Sequence, residues 1–345
     1  MLRLVCMIGL ASAIGCSSKD DGSGDSGFGG ENDGGGTPGC EVEGVSPLYP
    51  EADGGEFYYR GSVEFVFDGI DEDATIAVTD AGGTAVDGST SWDENTLAFT
   101  PSVPFANSTE YSATLTHCAG ESTIGFRTTE LGGALAENVD LKGMTYIVEL
   151  DGARFVKPAG VGGLLLGLLE QNILLGVTDY DDSTINMMGA ISYTDNTDQD
   201  ACEPSIEFPE AADFTSAPFF SVGPQDTTLS AGGFDIVINE LMIAGDFAAD
   251  GSYIGGAILS GLLDARDLVG ALVGGGLLEE EDPNAVCDLI ATFGVTCGAC
   301  PDGENYCLEI YVDQITANAD TSQTLVVQEE CDAEVWGAEI CDVCE

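Results

Sequence analysis

The residue type in this sequence with the most chemistry open to it is cysteine. The chain holds twelve cysteines, two of them at positions 6 and 16, which leaves ten beyond residue 39. Two C-x-x-C pairs have the spacing of a four-thiolate zinc site. Together with the export signal described below, however, the even count favours five disulfides in an oxidising compartment. The ten residues are Cys40, Cys118, Cys202, Cys287, Cys297, Cys300, Cys307, Cys331, Cys341 and Cys344.

Histidine chemistry depends on a single residue, His117, next to Cys118. The sequence has no G-x-S-x-G elbow, phosphate-binding loop or H-E-x-x-H motif. We therefore assign no catalytic residue and predict a protein that is not an enzyme. A secreted hydrolase that uses paired carboxylates remains an alternative, because acidic residues are too numerous for one pair to stand out.

Closely spaced oxygen ligands occur in Asp195-Asn-Thr-Asp-Gln-Asp200, where Asp195, Asp198 and Asp200 could bind Ca²⁺. The segment lacks the glycine and the distal glutamate of an EF-hand loop, so an ordinary polar loop is the favoured interpretation. Apart from the zinc alternative for the C-x-x-C pairs, calcium is the only cofactor that the sequence brings into consideration, and the main expectation is a protein without a cofactor.

The charge of the chain limits its partners. Eight Lys and Arg residues against 61 Asp and Glu residues give a formal net charge of −53. Nucleic acid is therefore excluded as a partner, since binding it requires cations that neutralise phosphates. Anionic lipid headgroups would also repel the protein. A solvated acidic surface explains the charge without a specific ion.

The first fifteen residues have the composition of an export signal, with Arg3 ahead of an apolar run too short to span a bilayer permanently. The tetrad Ala13-Ile-Gly-Cys16 resembles the lipobox of bacterial lipoproteins. This resemblance implies that the leader is removed with Cys6 and that Cys16 becomes the lipidated amino terminus. Ser17 is similar to the outer-membrane sorting signal, which predicts a lipid-anchored protein of the cell envelope, in the outer membrane.

Residues 16–39 are rich in Gly, Ser and Asp, and Phe28 is their only large apolar residue. Such a segment cannot bury enough surface to offset its chain entropy, so we expect a disordered tether. Beyond the leader, the apolar runs at 161–177 and 258–278 are interrupted by polar or charged residues and are interpreted as packing elements rather than membrane spans.

Residues 40–130 alternate apolar and polar positions between turn residues, which predicts a β-sandwich. The predicted strands are Val42–Leu48, Ser62–Phe67, Thr75–Thr79, Thr96–Thr100, Glu110–Thr116 and Ser122–Arg127.

The amino-acid sequences of these strands identify the kind of sandwich more specifically than the number of strands does. Five segments resemble the bacterial immunoglobulin-like domain first named from the S-layer protein SbsA: Gly44-Val-Ser-Pro47, Val63-Glu-Phe-Val-Phe67, Asn95-Thr-Leu-Ala-Phe-Thr-Pro101, Pro104-Phe-Ala-Asn-Ser-Thr-Glu-Tyr-Ser-Ala-Thr-Leu115 and Gly125-Phe-Arg-Thr128. The resemblance implies a structural or spacer module, with Tyr111 placing its ring inward and its hydroxyl on the backbone. In such a sandwich the turn before the last strand lies near the start of the first, so Cys40 is expected to pair with Cys118.

Residues 131–345 are predicted to form an α+β, disulfide-stapled domain with an antiparallel sheet. A strand is predicted over Gly143–Leu150, and a hairpin is predicted from Phe234–Gly245 and Tyr253–Ser260. Helices are expected over Val161–Gln171, Asp264–Val273 and Asn284–Phe293. The layout resembles uncharacterised lipoproteins of myxobacteria and their relatives. The fold class is therefore mainly β, an immunoglobulin-like sandwich followed by this second domain.

These observations lead to one functional hypothesis with two alternatives. We expect a non-enzymatic envelope lipoprotein whose sandwich supports a carboxy-terminal domain that binds an envelope protein or ligand. The first alternative is a carrier of lipid, because the Leu- and Gly-rich segments 160–177 and 254–278 could line an apolar cavity. The second alternative is the carboxylate-dependent hydrolase.

Overall fold

The computed structural model describes residues 40, 42, 44–51, 56–160, 162, 171–208, 210–231, 234–342 and 344. The predicted leader, Cys16 and the tether lie outside these residues, and so does nearly all of the helix predicted over Val161–Gln171. Cys40–Glu345 forms one compact unit. No helix in the described ranges is both long and apolar enough to cross a membrane.

The amino-terminal part of this unit is a β-sandwich of two four-stranded sheets. One sheet has the order β1-β3-β6-β5, and the other β2-β8-β7-β4, with β2 and β8 parallel. Apart from the two-residue β2, this is the strand order of an immunoglobulin constant-type fold, which confirms the predicted class. The strands are β1 (Val45–Tyr49), β2 (Glu56–Phe57), β3 (Val63–Phe67), β4 (Thr75–Asp80), β5 (Gly88–Asp93), β6 (Thr96–Pro101), β7 (Glu110–His117) and β8 (Gly120–Thr128).

Alternation along the strands builds the core of the sandwich. In β3, Val63, Phe65 and Phe67 are buried, whereas the residues between them are only partly buried. Tyr111 packs its ring against Phe105, and its hydroxyl accepts a hydrogen bond from the backbone N–H of Ala106 at 2.9 Å, as predicted. Strands β2 and β5 were not predicted, since β2 has only two residues and β5 lies almost wholly exposed and has no apolar face.

The second part is a ten-stranded sheet, in which every pair of strands is antiparallel. Its order is β13-β12-β11-β9-β18-β17-β16-β15, with β10 beside β18 and β14 beside β12. The strands are β9 (Thr145–Glu149), β10 (Arg154–Lys157), β11 (Ile173–Tyr180), β12 (Thr184–Ile191), β13 (Ile206–Glu207), β14 (Ala212–Asp213), β15 (Phe219–Ala231), β16 (Phe234–Phe247), β17 (Tyr253–Asp264) and β18 (Cys307–Asp320).

This large sheet curls around its own core, because β13 and β14 at one end contact β15 at the other. Aromatic side chains fill the interior, among them Tyr146, Phe214, Phe220 and Phe247. The predicted hairpin is β16 and β17, and its tight turn has Gly251 at a φ of 73°. Such a φ favours glycine, which explains the Asp-Gly sequence of the turn.

Within the described residues, three short helices accompany the sheet: α1 (Leu268–Gly274), α2 (Pro283–Ala291) and α3 (Ala338–Cys341). Helix α2 begins where Asp282 accepts a hydrogen bond from the N–H of Asn284 and Pro283 takes the first helical position. The prediction of a helix from Asp264 was wrong at its start, because β17 continues to Asp264 in register with Cys307 of β18.

Candidate functional site

The most elaborate polar arrangement in the described residues lies where the sandwich meets the large sheet. Tyr58 and Tyr59 follow β2, and both hydroxyls donate hydrogen bonds to the carboxylate of Asp246 in β16. Tyr59 Oη lies 2.9 Å from Asp246 Oδ1, and Tyr58 Oη contacts Oδ2. Asp246 is 0% exposed, so it is a fully buried acid whose two oxygens are both satisfied by the other half of the protein.

Burial sets the protonation states in this cluster. It raises the pKa of Asp246, although the hydrogen bonds from Tyr58 and Tyr59 and the nearby Arg60 oppose the shift. Burial also raises the pKa of Tyr59 to about 12 and that of Tyr58 further still. Both phenols are therefore neutral donors near neutral pH, and Asp246 is their acceptor.

Two glycines make room for these tyrosines. Gly256 in β17 has a φ of 56°, and a Cβ there would collide with the ring of Tyr58. Gly132 has a φ of 87°, and a Cβ there would lie 2.6 Å from Cζ of Tyr59. A side chain at either position would have to displace a tyrosine ring that reaches Asp246.

A second polar contact joins the same two parts of the protein. Arg154 of β10 donates from Nη1 to Glu64 of β3 at 2.5 Å, and from Nη2 and Nε to Asp313 of β18 at 2.5 and 2.9 Å. The guanidinium of Arg154 thus donates to one carboxylate from the sandwich and one from the large sheet. Because all three side chains are at most 22% exposed, removing the cation would leave two poorly solvated carboxylates facing each other.

Between these two contacts lies the junction cleft, a space of about 100 Å³ lined by Tyr49, Tyr58, Arg60, Arg154, Tyr311 and Gln314, among other residues. Arg60 is held firmly at its wall. Its Nε donates to Tyr59 Oη at 2.8 Å, and its guanidinium carbon lies 3.7 Å from the centroid of the Phe219 ring. The cleft therefore combines aromatic walls with two arginines and with two carboxylates, Glu64 and Asp313, both of which Arg154 binds.

Sequence reasoning missed this cleft. The hydrogen bond from Tyr58 to Asp246 joins residues 188 positions apart, and no motif relates them. One local signal was available, because Asp246 interrupts the otherwise apolar end of β16, and a carboxylate in such a strand has to find a buried partner.

The ten predicted cysteines form five disulfides, which confirms the disulfide prediction. Each C-x-x-C pair is divided between two bonds, so the zinc alternative is wrong for both pairs. The bonds are Cys40–Cys118, Cys202–Cys344, Cys287–Cys297, Cys300–Cys307 and Cys331–Cys341. The first is the pairing expected in the sandwich.

The acidic loop from 195 to 200 holds the carboxy-terminal segment in place. Gln323 donates to the carbonyl of Thr197, and the buried amide of Gln199 exchanges two hydrogen bonds of 2.8 Å with the backbone of Val326. Asp195, Asp198 and Asp200 do not form a group of three converging donor atoms within the described residues.

Two other groups of potential metal ligands do converge within 4.8 Å in the described ranges. One is Asp71, His117 and Cys118, and the other is Asp264, Cys300 and Cys307. All three of these cysteines are disulfide-bonded, and metals bind the thiolate form. Neither group offers three free ligands.

The lipid-carrier alternative requires an apolar cavity between the two Leu- and Gly-rich segments. Ile173, Leu175 and Leu259 do line a common apolar pocket inside the curled sheet, but its volume is about 30 Å³. A pocket for a typical ligand has about 300–1,000 Å³. Residues 161 and 163–170 lie outside the described residues, so this comparison concerns the strands alone.

Comparisons with known proteins add little to this geometry. No family model and no curated protein matches the chain. Two solved structures from Listeria monocytogenes share weak likeness, each with a TM-score of 0.16. One is an uncharacterised protein in complex with glucose, magnesium and calcium, at 12% identity over 58% of this chain. The other is a cycloalternan-forming enzyme in complex with a pentasaccharide, at 13% identity over 60% of it.

The chain spans about a fifth of the length of either Listeria protein. A likeness of this size carries no argument about fold or function. The functional interpretation therefore depends on the junction and on the sequence motifs.

Proposed function

We propose that this protein is a lipoprotein of the cell envelope, anchored in the outer membrane by a lipid on Cys16. In this proposal the immunoglobulin-like sandwich and the large sheet act as one rigid, non-enzymatic ectodomain. The ectodomain presents the junction cleft to an envelope protein or ligand.

The observation that carries this proposal is the burial of Asp246 beneath Tyr58 and Tyr59. A spacer that swings freely would share few buried polar contacts with its neighbour, because each contact would have to be desolvated again after every separation. Among the described residues, the buried carboxyl group of Asp246 in the large sheet accepts side-chain hydrogen bonds only from the sandwich. This arrangement favours a sandwich that holds the large sheet in a fixed position over one that acts as a flexible spacer.

Fractionation of cells that express matched variants tests the anchor. The proposal predicts that Cys16→Ala moves the protein from the membrane to the soluble fraction with an unchanged melting temperature. Cys6→Ala is the control, since that cysteine would be removed with the leader, and it should leave the protein in the membrane. Retention of Cys16→Ala in the membrane after a high-salt wash would contradict the proposal.

A further inference from the structure

The junction cleft contains an arginine, Arg60, whose ion pair with Asp246 is long and involves only Nε. Within the described part of the chain, Arg60 uses only Nε in a hydrogen bond, and no acceptor contacts either Nη atom. Its nearest carboxylate oxygen, on the buried Asp246, lies 3.9 Å from Nε. The remaining donors are therefore open to the cleft, where the side chain is 27% exposed.

Arg60 is also held by two contacts, which distinguishes it from a surface arginine without partners. Stacking on Phe219 and the hydrogen bond to Tyr59 fix the plane of the guanidinium. A guanidinium whose orientation is already set loses little conformational entropy when a ligand binds to it. Tyr311 adds a second donor, because it lines the same cleft and its hydroxyl has no partner in the described residues.

The carboxylates that line the cleft, Glu64 and Asp313, are both hydrogen-bonded to Arg154, so Arg60 is the cleft cation without a carboxylate in hydrogen-bond contact. Of the eight cationic side chains in the sequence, Arg60, Arg154 and Lys157 all lie at the junction, where each comes within 4.0 Å of a carboxylate on the other part of the protein. The negative charge of the whole chain opposes an anion, and it opposes a dianion more strongly than a monoanion. A planar carboxylate matches the two donors of an arginine fork.

We infer that the junction cleft binds the carboxylate group of a small ligand, with Arg60 as a bidentate partner and Tyr311 as a second donor. The volume of about 100 Å³ limits the inserted part to a few heavy atoms. This inference rests on the display function proposed above and names the class of ligand that the ectodomain would bind. The anchoring test with Cys16→Ala does not depend on acetate binding.

Titration of the full mature protein with carboxyl-labelled ¹³C-acetate, followed by NMR at fixed ionic strength, tests the site. We expect saturable binding of one acetate with a dissociation constant on the order of millimolar, given so small a ligand. Arg60→Gln should weaken binding about tenfold or more, since it removes charge-assisted hydrogen bonds. Arg127→Gln is the matched control, because Arg127 is exposed, lies on β8 and forms no ion pair within the described ranges. It should change binding less than about twofold.

Tyr311→Phe keeps the ring in place and provides a second test that does not depend on Arg60. It should weaken acetate binding by about threefold, as expected for a neutral hydrogen bond. Inorganic phosphate at the same concentration should not displace acetate. Absence of saturable binding, equal losses in Arg60→Gln and Arg127→Gln, no effect of Tyr311→Phe, or tighter binding of phosphate would each overturn the assignment. A loss of acetate binding alone, with Cys16-dependent anchoring intact, would leave the envelope function standing.

Discussion

Replacing Tyr58 by Phe removes one of the two hydroxyl donors to Asp246 without removing the ring that packs on Gly256. The lost interaction is a hydrogen bond to a buried carboxylate, for which the contribution to stability is about 1.5–3 kcal/mol. Because Asp246 is 0% exposed, water cannot replace the missing donor. We therefore expect the free energy of unfolding to fall by about 2 kcal/mol, or roughly thirtyfold in the equilibrium constant.

Urea denaturation of the protein with its disulfides intact measures this change. Tyr311→Phe is a suitable control, since Tyr311 lines the same cleft without a partner for its hydroxyl and should change stability by less than about 0.5 kcal/mol. In an Asp246→Asn background the cost of Tyr58→Phe should fall to about 1 kcal/mol, the contribution of a neutral hydrogen bond. The reasoning is refuted if Tyr58→Phe costs no more than Tyr311→Phe, or if Asp246→Asn leaves its cost unchanged.

Three further predictions concern the disulfides, the buried acid and the net charge. Replacing both cysteines of the Cys40–Cys118 bond by Ser should cost about 4.5 kcal/mol in urea unfolding, against about 2.7 kcal/mol for the Cys331–Cys341 bond, because the loops span 78 and 10 residues. Equal costs would count against the chain-entropy argument. Burial raises the folded-state pKa of Asp246 above 3.8, so its stabilising contribution is complete below that pH and is lost as the pH rises through the folded value. The stability of the wild type relative to Asp246→Asn should therefore decline above about pH 4, and a flat difference would exclude a raised pKa. Sodium chloride should raise the thermal midpoint by screening the net charge, whereas millimolar Ca²⁺ in high salt should not raise it further. A calcium-specific rise in the midpoint that Asp198→Asn abolishes would instead support the calcium site.

Local patterns in the sequence were sufficient for much of the fold. The alternation in Val63–Phe67 predicts a strand with one buried face, and it does so because successive side chains point to opposite faces. Asp250 and Gly251 mark the turn between β16 and β17, and Pro283 marks the start of α2. Each of these features depends on neighbours within a few residues, which the sequence displays directly.

The tertiary structure decided which distant residues meet. Eight cysteines beyond the sandwich allow roughly a hundred connectivities, and the packing of the loop before β13 against the carboxy-terminal segment brings Cys202 to Cys344. Asp246 could be recognised from the sequence as a carboxylate in an apolar strand, but not as the partner of Tyr58. That pairing arises because Gly256 lets the sandwich approach β17 closely, and a buried charge is stable only where such an approach supplies donors.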